Sequence, residues 1–417
     1  MIVPLAIALL VNEFWSPELA TILLLGICAG EVARREGIIP LGIVPYVAIF
    51  CALVALGIIG GYGEPVHDVI RDCWYFTNPC IGFVVGYLLV RSGKRLGSVM
   101  STFIIVGFVA AVVHLTRLIF VVVAGEAGSI IRVRDIVGPG YFAAAVAMAI
   151  WLAMGPAGNV LPKWLRNGVL NYSIAAIALS SVVLSFSRTL WLCVAIAVVV
   201  IVPRTWSARR SRLIAGIFAM VLVVFGLVWI NTTDTRFSEK IVDTVAELGT
   251  VDFTTRSEIG RYWRAFESIA ALQTYAAADA TQQMFGYGFG KQIDLGISME
   301  LAGATYDEIP ILHNGYLYAL VKTGVLGLLL VMTLLYMLYR TRVSLPALRD
   351  VRARSVENLA QTIVLTTAAT TFVVGGIFSS EFGVPAMIVL GGCVSYVHGL
   401  MANGRSEYAA RLDDRVS

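Results

Sequence analysis

Residues 313–340 read HNGYLYALVKTGVLGLLLVMTLLYMLYR, a polar start followed by a long apolar run that closes on Arg340. The run from Gly315 to Tyr339 exceeds the roughly 20 residues an α-helix needs to cross the hydrocarbon of a bilayer. His313 and Asn314 open it, and nine residues later comes Gly-Val-Leu-Gly, ending at Gly327. The string marks the point where a long polar loop re-enters an apolar helix. Imidazole is the one side chain whose ordinary pKa lies near neutrality, so at a water-facing helix start His313 is a candidate general base. The alternative is a helix-start histidine that only satisfies backbone groups.

Working outward, the same pattern repeats along the chain. Of 417 residues, 58% are hydrophobic and 14% charged, against roughly 25% charged in soluble domains, which excludes a water-soluble enzyme. About twelve apolar runs are readable, at 2–14, 17–33, 39–61, 78–90, 97–124, 138–155, 169–187, 189–203, 213–230, 315–339, 358–378 and 384–402. The expected fold is all-α: a polytopic membrane protein of about twelve spans with one large, partly helical outer loop. The first run lacks a basic start and a small-residue cleavage site, so it reads as a span and not as a signal peptide. Lysine and arginine are retained on the cytoplasmic side of short loops. Arg34/Arg35, Arg91/Lys94/Arg95, Lys163/Arg166, Arg204/Arg209/Arg210/Arg212, Arg340/Arg342/Arg349/Arg352/Arg354 and Arg405/Arg411 fall in alternate connections. Twelve spans with both termini inside satisfy all of them, and place the link around Arg188 and the loop 231–314 together on the outer face. The expected division is 1–168, N-terminal spans; 169–230, the spans bearing Arg188; 231–314, the outer loop; and 315–417, C-terminal spans with a loose cytoplasmic end.

The net charge of +4 conceals a split, since residues 231–312 hold 12 acidic and 6 basic side chains. Basic character therefore belongs to topology and not to nucleic-acid binding. Within the loop, Arg256 to about Ala278 reads as a helix with Ile259, Trp263, Phe266 and Ala270 on one face and Arg256, Arg261 and Arg264 opposite. Three glycines in Gly286-Tyr-Gly-Phe-Gly290 predict a turn with close backbone approach.

Arg188, in Ser185-Phe-Ser-Arg-Thr189, divides an apolar tract at the outer interface. Snorkelling explains an arginine there. Its guanidinium can also grip a phosphate through two parallel hydrogen bonds, helped by the start of a helix and by the hydroxyls of Ser185, Ser187 and Thr189. His114 and Arg117 are polar intrusions into the fifth span, most simply an interhelical hydrogen bond. Glu64, His67 and Asp68 share an outer loop without metal-site spacing. Cys28, Cys51, Cys193 and Cys393 read as buried small hydrophobes, and Cys73 and Cys80 flank the outer end of the fourth span, where a disulfide is an open alternative. There is no Asp-x-Asp pair, His-Glu-x-x-His, Gly-x-Ser-x-Gly or Walker loop, so no metal, nucleotide or other cofactor is expected.

Taken together, the His313-Asn314 element with Gly324 and Gly327, the preceding loop with its Arg256…Trp263 helix, the turn at 286–290 and the Ser-x-Ser-Arg ending at Arg188 resemble the O-antigen ligase and polysaccharide polymerase superfamily. The resemblance is specific from about 169 to 340. It implies a bacterial inner-membrane enzyme that transfers a glycan from undecaprenyl diphosphate, on the periplasmic face, to a sugar of lipid A-core (ligase) or to the next lipid-linked repeat (polymerase). It further implies inversion at the anomeric carbon, without metal. Carried over, His313 is the base, Arg188 and Arg256 neutralise the departing diphosphate, and Arg261 and Arg264 add charge. Asn314 orients the imidazole or a sugar hydroxyl, Gly286 and Gly288 let backbone approach substrate, and Gly324 and Gly327 permit helix packing. The short connection 125–137 favours the ligase branch over O-antigen, capsule or exopolysaccharide polymerases. A lipid-linked oligosaccharide transporter is the alternative from another class, although it would carry charge deep in its spans.

Overall fold

The computed structural model describes residues 2–90, 93–124, 130–138, 140–154, 161–162, 165, 168–205, 253, 256–301, 304–343 and 350–416. The expected span at 213–230, the basic group at 209–212 and the first part of the outer loop lie outside these residues. The first helices are α1 (Ile2–Phe14), α2 (Pro17–Arg34), α3 (Val44–Gly60), α4 (Val66–Leu89) and α5 (Gly93–Val123). They are followed by α6 (Ile130–Val137), α7 (Phe142–Met154), α8 (Gly168–Leu184) and α9 (Arg188–Thr205). The loop contributes α10 (Arg256–Arg261), α11 (Trp263–Ala276), α12 (Ala280–Phe285) and the strands β1 (Ile293–Leu301) and β2 (Ala304–Ile309). The last helices are α13 (Gly315–Tyr339), α14 (Val351–Val374) and α15 (Gly383–Val416).

By length and composition, Leu41–Gly60, Arg95–Val123, Gly315–Tyr339 and Gly383–Gly404 are each able to cross a membrane, and α1, α7 and α8 are shorter apolar helices. The chain is accordingly read as a helical membrane protein. Two expectations change. The fourth helix begins at Val66, twelve residues before the apolar run, so Asp68, Arg71 and Asp72 lie within it. Residues 406–416, expected as part of a loose end, continue α15 as helix. Beside its helices the segment before α13 holds a hairpin, β1 and β2 pairing antiparallel from Ile293↔Ile309 to Leu301↔Ala304.

Local chemistry sets the helix ends. Ser16 caps α2 by accepting from the Leu19 N–H at 3.2 Å, with Pro17 in the first turn, where its missing N–H costs nothing. Asp350 caps α14 through Ala353 at 2.7 Å, and left-handed Gly375 (φ 76°) ends that helix. α4 and α15 run parallel in close contact, Gly82 against Val384 and Gly86 against Ile388. Small residues let two backbones approach in hydrocarbon, where dispersion replaces hydrophobic driving force.

One helix is completed by the loop. At Gly324 (φ 67°, ψ −171°) α13 leaves helical geometry, which frees the carbonyls of Val321 and Lys322 from their usual partners four residues on. The glycine turn supplies replacements: Tyr287 N–H donates to Val321 O at 2.9 Å and Gly288 N–H to Lys322 O at 3.0 Å. Phe289, fully buried, donates from its N–H to Gly57 O on α3 at 2.7 Å. The turn is thus wedged between α3 and α13.

A candidate active site at His313

Asn314 is the N-cap of α13, its side-chain oxygen accepting from Tyr316 N–H at 3.1 Å and Leu317 N–H at 3.2 Å. The cap engages the side-chain oxygen, and among the described residues Asn314 makes no hydrogen bond to the imidazole, whose orientation is the first of the two roles expected of it. Glu267 of α11 holds the imidazole instead. One carboxylate oxygen accepts from the backbone N–H of His313 at 2.6 Å and the other lies 2.7 Å from its Nδ1. Glu267 is 2% exposed, whereas the histidine side chain is 48% exposed. A carboxylate only accepts, so in the neutral imidazole the proton sits on Nδ1 and Nε2 keeps its lone pair. This is the arrangement of a general base held by a buried acid.

His313 lines a pocket of about 370 Å³. Tyr318 of α13, Pro17 of α2 and Tyr75 of α4 line it as well, and part of its wall is the turn after α14, with Phe378, Ser380 and Glu381. That wall is pinned: the Asn78 amide donates to Ser380 Oγ and the Asn12 amide to Ser380 O, each at 3.3 Å. Apolar surface with a few convergent polar groups suits a ligand of mixed character.

Arg188 is the first residue of α9, half-buried. The turn before it is held by Ser185, whose Oγ donates to Val182 O at 2.7 Å and accepts from Ser187 N–H at 3.2 Å, with Phe186 at φ 49°. Trp191 Nε1–H donates to Val182 O at 3.0 Å, closing the α8–α9 corner. Ser187 and Thr189 are each 8% exposed. Contacts lead from this corner to the pocket. A Cβ on Gly140 would stand 2.6 Å from that of Ser185, and Phe142, two residues on, stacks on Phe382 with centroids 4.5 Å apart. Phe382 follows Glu381 of the pocket wall. The Arg188 corner and His313 therefore share one end of the bundle, although Arg188 is not part of the wall.

The loop arginines are placed differently from the sequence reading. The helix expected from Arg256 to Ala278 breaks at Tyr262 into α10 and α11. Arg256 opens α10 and is exposed, Arg264 is half-buried on α11, and the Arg261 side chain lies outside the described residues. Neither Arg256 nor Arg264 lines the pocket. Ile259 and Ala270 are buried as expected, and Trp263 and Phe266 are half-buried. Gly286 and Gly288 do not face a substrate. A methyl on Gly286 would collide with the backbone of Lys322 and Thr323, and one on Gly288 with the backbone of Gly60 and Gly61. At φ 88° Gly288 also occupies the left-handed region. Gly288→Ala is therefore expected to cost about 2–4 kcal/mol from overpacking and strain, visible as a lowered thermal midpoint in detergent. Gly324, as expected, serves packing, its α-carbon against Met284 and Gly286.

His114 forms the interhelical bond anticipated for it, Nδ1 lying 3.1 Å from Ser181 Oγ. Arg117 donates to the Tyr141 hydroxyl at 3.0 Å. Asp68 pairs with Arg71 at 2.5 Å, and all six cysteines are free thiols, Cys73 and Cys80 included.

Two further features escaped sequence reasoning. Glu267 is an acid on the apolar face of α11, four residues after Trp263 and three before Ala270, and that misplacement is the signal that would have found it. The second is a buried ion pair, Asp72 to Lys322 at 2.6 Å, both side chains 0% exposed. Asp72 also accepts from the Tyr318 hydroxyl and the Gly290 N–H, each at 2.8 Å, while Lys322 donates to Lys291 O.

No curated protein matches the chain. Residues 173–332, which run from within α8 past Gly324 and include Arg188, Glu267 and His313, match the family model described as O-Antigen ligase. Over that segment the chain is O-antigen ligase-like.

Proposed function

We propose that this chain is a multi-pass inner-membrane glycosyltransferase that moves a glycan from undecaprenyl diphosphate to an acceptor sugar on the periplasmic face, with lipid A-core as acceptor. The observation that carries this reading is the His313–Glu267 pair, with His313 lining a pocket, inside the segment that matches the O-Antigen ligase family. His313 Nε2 takes the proton of an acceptor hydroxyl as its oxygen attacks the anomeric carbon. The bond from that carbon to the diphosphate oxygen breaks, and its electron pair leaves with the diphosphate. A single displacement of this kind inverts the anomeric centre and needs no metal. Arg188, at a helix start on the same end of the bundle as the pocket, and Arg256 of the exposed α10 neutralise the leaving group, with Arg264 and Arg261 adding charge.

The test is reconstitution of the purified chain with a lipid-linked glycan, with and without lipid A-core. Glycan joined to lipid A-core is the expected product. Lipid-linked oligomers formed without lipid A-core would make it a polymerase of the same superfamily, and absence of any transfer by a folded protein would refute the enzyme reading. Arg188→Lys is expected to lower transfer about 10²-fold, because lysine keeps the charge but loses the planar fork. Full activity in that variant would rule out two-point gripping.

A further inference from the structure

The opposite end of the bundle holds a second pocket, of about 360 Å³. Pro17 of α2 and Tyr75 of α4 line the His313 pocket, while Arg34 of α2 and Leu89 of α4 line this one. At 1.5 Å per helical residue, Pro17 to Arg34 spans about 26 Å, close to the hydrocarbon thickness of a bilayer. The two pockets thus lie at levels that correspond to the two membrane surfaces.

Charge at this second pocket is unbalanced. Glu31, 1% exposed, is the carboxylate for three guanidinium groups: Arg34 at 2.6 Å, Arg95 at 3.8 Å and Arg35 at 4.0 Å. Arg35 is mostly buried and donates to Leu88 O at 2.5 Å, tying α2 to the end of α4. Arg34 and Arg95 are each 39% exposed and line the pocket with Ser98. Among the described residues the Arg95 guanidinium makes no hydrogen bond, only its long ion pair with Glu31. Glu31 lines the pocket too, and the rest of its wall is apolar, with Val3, Leu89 and Val99. Arginines kept at this face by topology alone require neither a cavity nor such a wall.

We propose that this pocket binds the phosphate headgroup of an anionic membrane lipid. Two guanidinium forks meet the phosphate oxygens, and the upper acyl chain lies along Val3, Leu89 and Val99. The apolar wall selects the lipid over free phosphate, which gains nothing from it. The proposal depends on the chain spanning a bilayer and is independent of the reaction at His313.

The experiment places the full-length protein in nanodiscs of phosphatidylcholine with graded phosphatidylglycerol, and measures retained lipid by native mass spectrometry and the thermal midpoint. Wild type is expected to retain phosphatidylglycerol selectively and to gain stability from it. Arg34→Gln/Arg95→Gln, with unchanged circular dichroism, is expected to lose that selectivity about tenfold. Equal retention of the two lipids by wild type, or unchanged selectivity in the folded double variant, would overturn the site. Equal stabilisation by inorganic phosphate in pure phosphatidylcholine discs would overturn its assignment to a lipid.

Discussion

Glu267→Gln is expected to lower the turnover of glycan transfer by about 10²–10³-fold with little change in KM and a folded protein. Glutamine keeps one acceptor oxygen for the His313 backbone N–H, but it presents an NH₂ group where the second carboxylate oxygen received Nδ1. The imidazole then carries its proton on Nε2, the nitrogen that has to accept one. His313→Ala removes the base altogether and is expected to cost about 10²–10⁴-fold. Because Glu267 acts through His313, the double variant should be no slower than His313→Ala alone, which is the non-additivity of groups working as a unit. Losses that multiply instead would show that Glu267 supports the fold and not the imidazole.

The second large effect concerns stability. Asp72→Asn leaves the Lys322 ammonium buried without its counter-charge, and Lys322→Met leaves a buried carboxylate with its hydrogen-bond donors and the longer ion pair to Arg71 at 3.4 Å. Breaking a fully buried pair by removing one partner costs about 3–5 kcal/mol, far more than the pair adds over a well-packed apolar replacement. Either single variant is therefore expected to lower the thermal midpoint sharply, with Asp72→Asn the worse, since Gly290 N–H and the Tyr318 hydroxyl lose an ionised acceptor as well. The double variant should lose much less than the sum of the two. Hydrogen exchange checks the mechanism: amides 286–292 should lose protection first in Asp72→Asn. Unchanged protection there would separate the ion pair from the docking of the turn.

The sequence and the structure agree most closely where hydropathy alone decides. The runs at 2–14, 17–33 and 315–339 reappear as α1, α2 and α13 with ends within one residue. They diverge where a helix carries charge that a distant segment neutralises. The first three turns of α4 looked like loop because Asp68, Arg71 and Asp72 have no partner nearby in the chain other than each other. Their acceptors and donors come from Gly290, Gln292, Tyr318 and Lys322. The candidate base was readable from its position at a helix start, whereas the acid that holds it sits 46 residues upstream, a separation no single sequence encodes. β1 is legible in the sequence by its alternation, since Ile293, Leu295, Ile297, Met299 and Leu301 recur with period two. The glycines at 286 and 288 signal close approach, but to which surface depends on the break at Gly324, which is a tertiary fact.

The interruption at Gly324 has a consequence for biogenesis. As a nascent chain emerges, residues 287 and 288 precede α13, and the two carbonyls they satisfy belong to a segment still to be inserted. Entry of that segment into the bilayer and seating of the upstream turn therefore become a single event, because lipid offers no donor to either carbonyl. Synthesised in isolation, the 315–339 peptide would straighten through Gly324 and close its own ladder, and the bent form belongs to the finished protein alone.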